Sequence, residues 1–269
     1  MPFLIALGVV LIIALVYLFL ICPSLKRHKD EEKLKGLYIA HRGLHNIAQG
    51  VPENSMTAFK KAIEAGFAIE NDIHLTKDGE VVVFHDDTLT RVCGVEGRVE
   101  DKTLKELKQL NLLGTDEKIP TLRECLDLVK GQVPLLIEFK VVGGNAKALC
   151  QKANEILKGY EGLYFVQSFY PNVLSWYKKN RPDVCRGQLS TAFKGEEFYK
   201  KLLGCLVSNL VARPHFVSYE WKYHKKLSRR ITALLGATPV CWTLQSQSEL
   251  DASKPHFKTY IFELFSPKK

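Results

Sequence analysis

Four short apolar runs in this chain end in residues that could do acid–base and metal chemistry. LYIA is followed by His41-Arg42-Gly43, and FAIENDI carries Glu70 and Asp72. EVVVF is followed by His85-Asp86, and PLLIEF carries Glu138, with Lys140 just beyond. Residues two apart on a strand face the same side, so Glu70 and Asp72 point together. Two carboxylates held together raise each other's pKa unless a cation lies between them. Glu138 from a neighbouring strand would add a third oxygen, and hard oxygen ligands suit Mg²⁺ or Ca²⁺. Alone, the pair reads as a solvated strand end; the neighbouring motifs turn the reading towards a metal site. A single His at a strand end is most often a hydrogen-bonded structural residue. His41 and His85 together, beside the carboxylates, read as a general acid/base pair. Arg42 offers a guanidinium fork for phosphate oxygens. His45 and His74 read as supporting or solvated residues. His28, His215, His224 and His256 have no such company.

A site of this kind needs a frame that brings several strand ends to one rim. From about Gly36 the chain alternates β-branched runs with helical patterns. Strands are expected at 37–41, 67–73, 80–85, 134–139, 163–169, 184–189, 215–220, 239–244 and 259–264. Helices are expected at 54–65, with Asn54 as N-cap, and near 121–130, 145–158, 171–180, 196–210 and 225–235. This alternation argues for a parallel sheet with helical crossovers. The link through Lys77-Asp78-Gly79 is too short for a parallel crossover, and Asp-Gly is a hairpin signal. The run 80–85 therefore reads as a hairpin extension of 67–73. Eight strand units remain, which predicts an α/β fold, a (β/α)8 TIM barrel with its site at the C-terminal strand ends. Residues 87–118 read as a small insertion after the second strand unit. The organisation expected is a transmembrane anchor at 1–24, a basic juxtamembrane linker at 25–36 and the barrel at 37–269, without a second domain.

The anchor is legible on its own. Residues 3–22 contain no charge, and fifteen of these twenty are Leu, Ile, Val or Phe. Insertion of such a helix gains up to ~5–9 kcal/mol. A basic n-region and a small-x-small cleavage site, the marks of a removed signal peptide, are missing. Lys26, Arg27, Lys29, Lys33 and Lys35 follow, which places the large domain on the cytoplasmic side. The seven cysteines form no C-x-x-C pair, so free thiols in a reducing compartment are expected rather than disulfides or zinc. The formal charge of +9 points to an anionic partner, and the remaining composition is that of an ordinary globular protein.

Two runs resemble the glycerophosphodiester phosphodiesterases: HRGLHNIAQGVPENSMTAFKKAIEAG and IENDIHLTKDGEVVVFHDDTLTRV. IPTLRECLDLV, LLIEFK, QSF and WTLQ agree, so the likeness extends from about Tyr38 to Phe262. The ordered set H-R-G, P-E-N, E-x-D, H-D and E-x-K is specific, although each motif alone is weak. The resemblance implies a metal-dependent barrel with an insertion after H-D. It implies a divalent cation, Mg²⁺ or Ca²⁺, on Glu70, Asp72 and Glu138, and acid/base work by His41 and His85. It gives substrate contact to Arg42 and Lys140, with Trp242 as an aromatic wall of the pocket. The implied products are an alcohol and glycerol 3-phosphate, with either water or the substrate's own glycerol hydroxyl as nucleophile. Ser55 and Asn71 depart from the usual pattern; the Asn71 side chain should point away from the site. Phe262-Glu263 replaces a frequent T-D ending, and the last barrel helix is expected to be short or missing.

Membrane anchoring would bring lysophospholipids and other membrane-derived diesters within reach. The nearest rival readings are a lysophospholipase D or a phospholipase C-like lipase. A catalytically silent lipid- or phosphate-binding protein is a further class, against which the intact carboxylates and histidines speak. Lys222, Lys225, Lys226, Arg229 and Arg230 raise nucleic-acid binding, but no recognition motif accompanies them and none is expected. On a membrane-anchored protein the same run could meet anionic headgroups.

Overall fold

The computed structural model describes residues 1–268; Lys269 lies outside the described residues. Nine strands are present: β1 (Tyr38–Ala40), β2 (Ala68–Leu75), β3 (Val81–Val83), β4 (Leu135–Phe139), β5 (Tyr164–Ser168), β6 (Arg186–Ser190), β7 (Phe216–Glu220), β8 (Thr238–Leu244) and β9 (Thr259–Phe262). Eight run parallel in the order β1-β9-β8-β7-β6-β5-β4-β2, and pairing of β1 with β2 closes the ring. β3 lies antiparallel on the far end of β2, with Ile73 opposite Val83, so the Lys77-Asp78-Gly79 link is a hairpin. The fold is the (β/α)8 barrel that the alternating pattern predicts.

Every parallel strand is buried on both faces, which is why the runs read as continuous apolar stretches. Below the site the barrel is filled by Ile39, Ala68, Leu136, Phe165, Phe216, Val240 and Ile261, one from each of seven strands. Cys185, one residue before β6, is the eighth. The short helix Glu31–Leu34 closes this end by inserting Leu34, which is fully buried in the same cluster. Glu31 is buried beside it and accepts hydrogen bonds from Arg27 at 2.5 Å and from Thr238 Oγ1 at 2.9 Å. The segment 25–36 is therefore seated on the barrel floor rather than extended from it.

The crossover helices start where side chains can satisfy their first amides. Ser55 caps Met56–Glu64 by accepting from the Ala58 amide, and Thr121 and Glu124 form a capping box for Leu122–Val129. Asn54 is thus not the N-cap; it has φ +51 and turns the other way, towards the barrel. The helix expected over 196–210 is two, Phe198–Gly204 and Asn209–Ala212. Gly204 packs against β6 so closely that a Cβ would lie 2.6 Å from the Thr191 carbonyl oxygen, and Leu206 has φ +62. Gln247–Ser253 is a helix outside the expected set, although Ser246 and Glu249 stand at N-cap spacing, and Ser246 does accept from the Glu249 amide. Among the described residues no helix follows β9. The insertion, 87–118, carries three short turns and packs Leu89, Val92, Val99, Leu107 and Leu112 against Val82 and Phe84.

The N-terminal helix Pro2–Ile21 is long and apolar enough to cross a membrane. Residues 2–16 are exposed, whereas the last turn docks on the barrel. Arg213 donates to the carbonyls of Phe19 and Cys22 at 3.0 and 2.8 Å, and Asn209 Nδ2 donates to that of Ile21 at 2.9 Å. These bonds satisfy the carbonyls that a helix end leaves open.

Candidate active site

Alternation along β2 sends Glu70 and Asp72 into the barrel and Ile69, Asn71 and Ile73 outward. Asn71 donates to Cys125 Sγ at 3.3 Å, on a surrounding helix, so it points away from the site as expected. Asp72 is paired in register with Glu138 on β4. One oxygen from each of Glu70, Asp72 and Glu138 lies within 4.8 Å of the others, and all three residues are buried. Lys140 Nζ reaches Glu138 at 2.5 Å and Asp72 at 3.0 Å. Glu70 Oε2 accepts from the Arg42 amide at 3.0 Å, while Oε1 is buried with no hydrogen-bond partner among the described residues.

This cage is electrostatically strained. Burial, then the Asp72 and Glu138 charges, push Glu70 well above the usual carboxylate range. Glu138 is also raised, chiefly by burial. Burial would raise Asp72 too, but Lys140, His85 and Arg42 pull it well below its ordinary value. Burial opposes the Lys140 charge, yet Asp72 and Glu138 more than hold it in place. Three buried carboxylates with an unpartnered oxygen fit a hard divalent cation with oxygen ligands. A second grouping, Glu53, His85 and Asp86, is similarly compact. There Arg91 already pairs with Glu53 at 2.7 Å and with Asp86 at 2.7 Å, so the charge is met from within the protein.

The His41-Arg42-Gly43 corner forms because its backbone turns left-handed. Arg42 and Gly43 have φ +56 and +80, and a Cβ on Gly43 would meet the Ala58 backbone at 2.9 Å. The corner aims the Arg42 amide at Glu70 and its guanidinium at Glu53, 2.7 Å away, with Asp72 at 3.7 Å. His41 Nδ1 lies 2.6 Å from Glu263 Oε2, and His85 Nδ1 lies 2.6 Å from Asp86 Oδ1. A carboxylate on Nδ1 selects the tautomer with Nδ1–H, leaving Nε2 of each ring for other work. Burial lowers His41, with the Glu263 hydrogen bond opposing it. Burial, aided by Lys140 and Arg42, brings His85 to about 4.

His41, Arg42, Glu70, His85, Lys140 and Trp242, together with Glu138, line one cavity of about 70 Å³. All eight candidate residues except Asp72 therefore face it directly, and Asp72 lies immediately behind. The Trp242 ring meets Phe169 edge-on at 5.7 Å, and its buried Nε1 has no partner among the described residues. A larger groove of about 680 Å³ adjoins this cavity through His85, Glu138 and Lys140. Its remaining lining is mainly apolar, with Val141, Phe169, Tyr170, Phe193, Tyr199 and Leu203, and includes the polar Asp87, Thr88, Thr191 and Lys200.

Four residues at the site carry no site role in the sequence reading. Glu263 holds His41, and Asn54 donates to Asp72 at 2.9 Å. Glu53 and Arg91 link Arg42 to Asp86 and so to His85. P-E-N flagged Glu53 and Asn54 as a motif without saying what they touch. Of the remaining histidines, His74 is buried between Glu100 and the His85 carbonyl, at 2.6 and 3.3 Å. His45 Nε2 lies 3.9 Å from Glu263.

The profile of the glycerophosphoryl diester phosphodiesterase family matches residues 41–246, which contain every one of the eight candidate residues. The chain belongs to this family. A glycerophosphodiester phosphodiesterase of Caldanaerobacter subterraneus is 38% identical over 167 residues, 58% of this chain and 67% of that protein. A lysophospholipase D of Rattus norvegicus is 33% identical over 158 residues, 54% of this chain. The match spans about half of the rat protein, 48% of its length. Among solved structures, an Oleispira antarctica phosphodiesterase in complex with the product sn-glycerol-3-phosphate superposes with a TM-score of 0.71. It is 25% identical, covering 87% of this chain and 94% of that one. The expectation of a phosphodiesterase barrel is met at the level of fold and family.

Proposed function

We propose that this protein hydrolyses glycerophosphodiesters to an alcohol and glycerol 3-phosphate, using His41 and His85 as acid and base around a divalent cation. The observation that carries this reading is the single cavity shared by two carboxylate-held histidines and a three-carboxylate cage. Glu70, Asp72 and Glu138 would hold the cation, Mg²⁺ or Ca²⁺; when bound, it supplies charge neutralisation and polarisation of the phosphodiester. Arg42 and Lys140 present fixed positive charge to the phosphate oxygens, and Trp242 offers its free Nε1–H to a substrate oxygen. Substrate and cage then stay oriented while protons move.

The two histidines are not equivalent. Asp86 shares its charge with Arg91, so it supports a protonated His85 weakly. Glu263 is otherwise met by neutral Gln245 at 2.8 Å and, more distantly, by His45 at 3.9 Å, with no Arg or Lys paired to it among the described residues, so it supports a protonated His41 more strongly. His41 is therefore the acid, whose Nε2 protonates the leaving alcohol oxygen, and His85 the base, whose Nε2 takes the nucleophile's proton.

The apolar groove favours a long substituent on the alcohol side, and the N-terminal helix would hold the enzyme on the membrane that supplies it. A lysophospholipase D is the second reading for this reason. The helix is read as a span with the barrel on the cytoplasmic side, on the strength of the basic residues that follow it. The test is turnover of glycerophosphocholine, glycerophosphoethanolamine, glycerophosphoglycerol and lysophosphatidylcholine by the full chain. Glycerol 3-phosphate released from the first three supports the main reading; turnover of lysophosphatidylcholine alone supports the second. No turnover of any of the four contradicts both.

A further inference from the structure

The way the N-terminal helix docks fixes which face of the barrel it leaves from. Ile21 and Cys22 are held by Asn209 and Arg213, and the Ser24 amide donates to the Pro214 carbonyl, all just before β7 begins. One turn earlier Tyr17 Oη reaches the Cys205 carbonyl at 3.4 Å. Cys205 follows Gly204, which touches Thr191 just past the end of β6 and accepts from Tyr219 Oη near the end of β7. Followed backwards, the helix thus climbs from the floor of the barrel towards the rim that carries the active site. Residues 2–16 continue beyond it.

Length sharpens this. Residues 2–16 rise about 22 Å, short of the roughly 30 Å of a hydrocarbon core. A span needs the docked turn as well, so the protein surface around Tyr17 must lie at headgroup depth. That surface is suited to the place. Lys194, Lys201, Lys225 and Lys226 surround a shallow depression of about 390 Å³ that also reaches Cys205. None of these four forms an ion pair among the described residues, whereas nearby Lys222 is paired with Glu220. Beside them the helix Phe198–Gly204 exposes Phe198, Tyr199 and Leu202, at 75%, 56% and 41%. Tyr199 also lines the groove that leads to His85. Apolar and aromatic side chains ringed by lysines are the composition of a surface that rests in an anionic headgroup layer.

We propose that this lysine-ringed face docks on an anionic lipid surface, so that the active-site mouth opens towards the bilayer that holds the N-terminal helix. The proposal rests on the reading of that helix as a span. Lipid charge attracts the four lysines, and Phe198, Tyr199 and Leu202 enter the headgroup layer beside the groove.

The test uses the full chain in nanodiscs of phosphatidylcholine, with and without phosphatidylglycerol. Phe198→Trp and Leu25→Trp place reporters on the mouth and on the floor side, and brominated lipids quench whichever meets the bilayer. The expected result is quenching beyond that of the parent's own tryptophans for Phe198→Trp and none for Leu25→Trp. Adding phosphatidylglycerol should strengthen it, and Lys201→Glu with Lys225→Glu and Lys226→Glu should remove that gain. Turnover of soluble glycerophosphocholine by the charge-reversed variant should stay at the parent level, which also reports that its barrel is folded. Quenching of Leu25→Trp instead, or quenching indifferent to lipid charge, overturns the docking face. Alkaline carbonate extraction reads the span separately: a protein stripped from membranes overturns the span and the docking with it.

Discussion

Glu263 is the residue whose role is most exposed to test, because its carboxylate is the largest influence favouring a proton on His41, ahead of the Asp72 charge. In Glu263→Gln the shape stays and the charge goes. The amide can still accept from His41 Nδ1, now 2.6 Å from the carboxylate, so the tautomer survives. What is lost is the charged part of a hydrogen bond worth ~1.5–3 kcal/mol. Because the Glu263 side chain is 17% exposed and shared with Gln245, the lower part of that range applies. At 1.36 kcal/mol per tenfold, kcat should fall about 10–30-fold. KM should move little, since Arg42, Lys140 and the cage are untouched. Burial already lowers His41 and Glu263 opposes it, so without the carboxylate His41 gives up its proton more easily. If His41 is the acid, the alkaline limb of kcat/KM must then shift to lower pH. Steady-state kinetics across pH reads all three quantities. Parent-like kcat with an unshifted alkaline limb refutes the argument. A loss of kcat that tracks a fall in Tm and a rise in KM shows Glu263 to be merely structural.

Three further outcomes follow from the same geometry. His41→Ala and His85→Ala should each lower kcat by roughly 10²–10⁴-fold with KM little changed, and the double variant should lose far less than the product of the two; multiplicative losses in steady-state assays contradict a shared cycle. Gly43→Ala places a Cβ against Ala58 at φ +80 and should cost about 2–4 kcal/mol, read by chemical denaturation; a cost below ~1 kcal/mol means the corner can relax. His215 Nδ1 accepts the Arg186 amide at 3.2 Å, and burial, with Arg186 and His28, lowers it from 6.5 to about 3. The unfolded chain binds that proton first, so its contribution is complete above pH 6.5 and is lost as pH falls from 6.5 towards 3, up to about 3–5 kcal/mol. His215→Gln should flatten the decline of Tm over that interval, and an unchanged slope contradicts the assignment.

The barrel was legible because its strands are short apolar runs at regular spacing and because Asp78-Gly79 could only turn a hairpin. Glu70 and Asp72 were legible because a period of two sends both one way. What the sequence hid is contact between distant parts. Glu263 looked like a departure from a familiar ending, and only the closure of β9 on β1 brings it to His41. Arg91 lies in the insertion, whose fold over the rim no periodicity announces. Ser55 rather than Asn54 caps its helix because Asp72 draws the asparagine side chain into the site. The break at Gly204 depends on a neighbour, the Thr191 carbonyl, that a helical pattern does not contain.

The central claim is that Glu70, Asp72 and Glu138 hold a divalent cation on which phosphodiester hydrolysis depends. The direct measurement is release of glycerol 3-phosphate from glycerophosphocholine, followed by ³¹P NMR, for the full chain and for Asp72→Asn. Each is assayed with EDTA and again after Mg²⁺ or Ca²⁺ is restored. The parent is expected to stop in EDTA and to recover with one of the two cations. Asp72→Asn should stay folded by circular dichroism, bind no divalent cation by calorimetry and remain inactive throughout. Full turnover by the parent in EDTA, or by Asp72→Asn under any of these conditions, would contradict the claim.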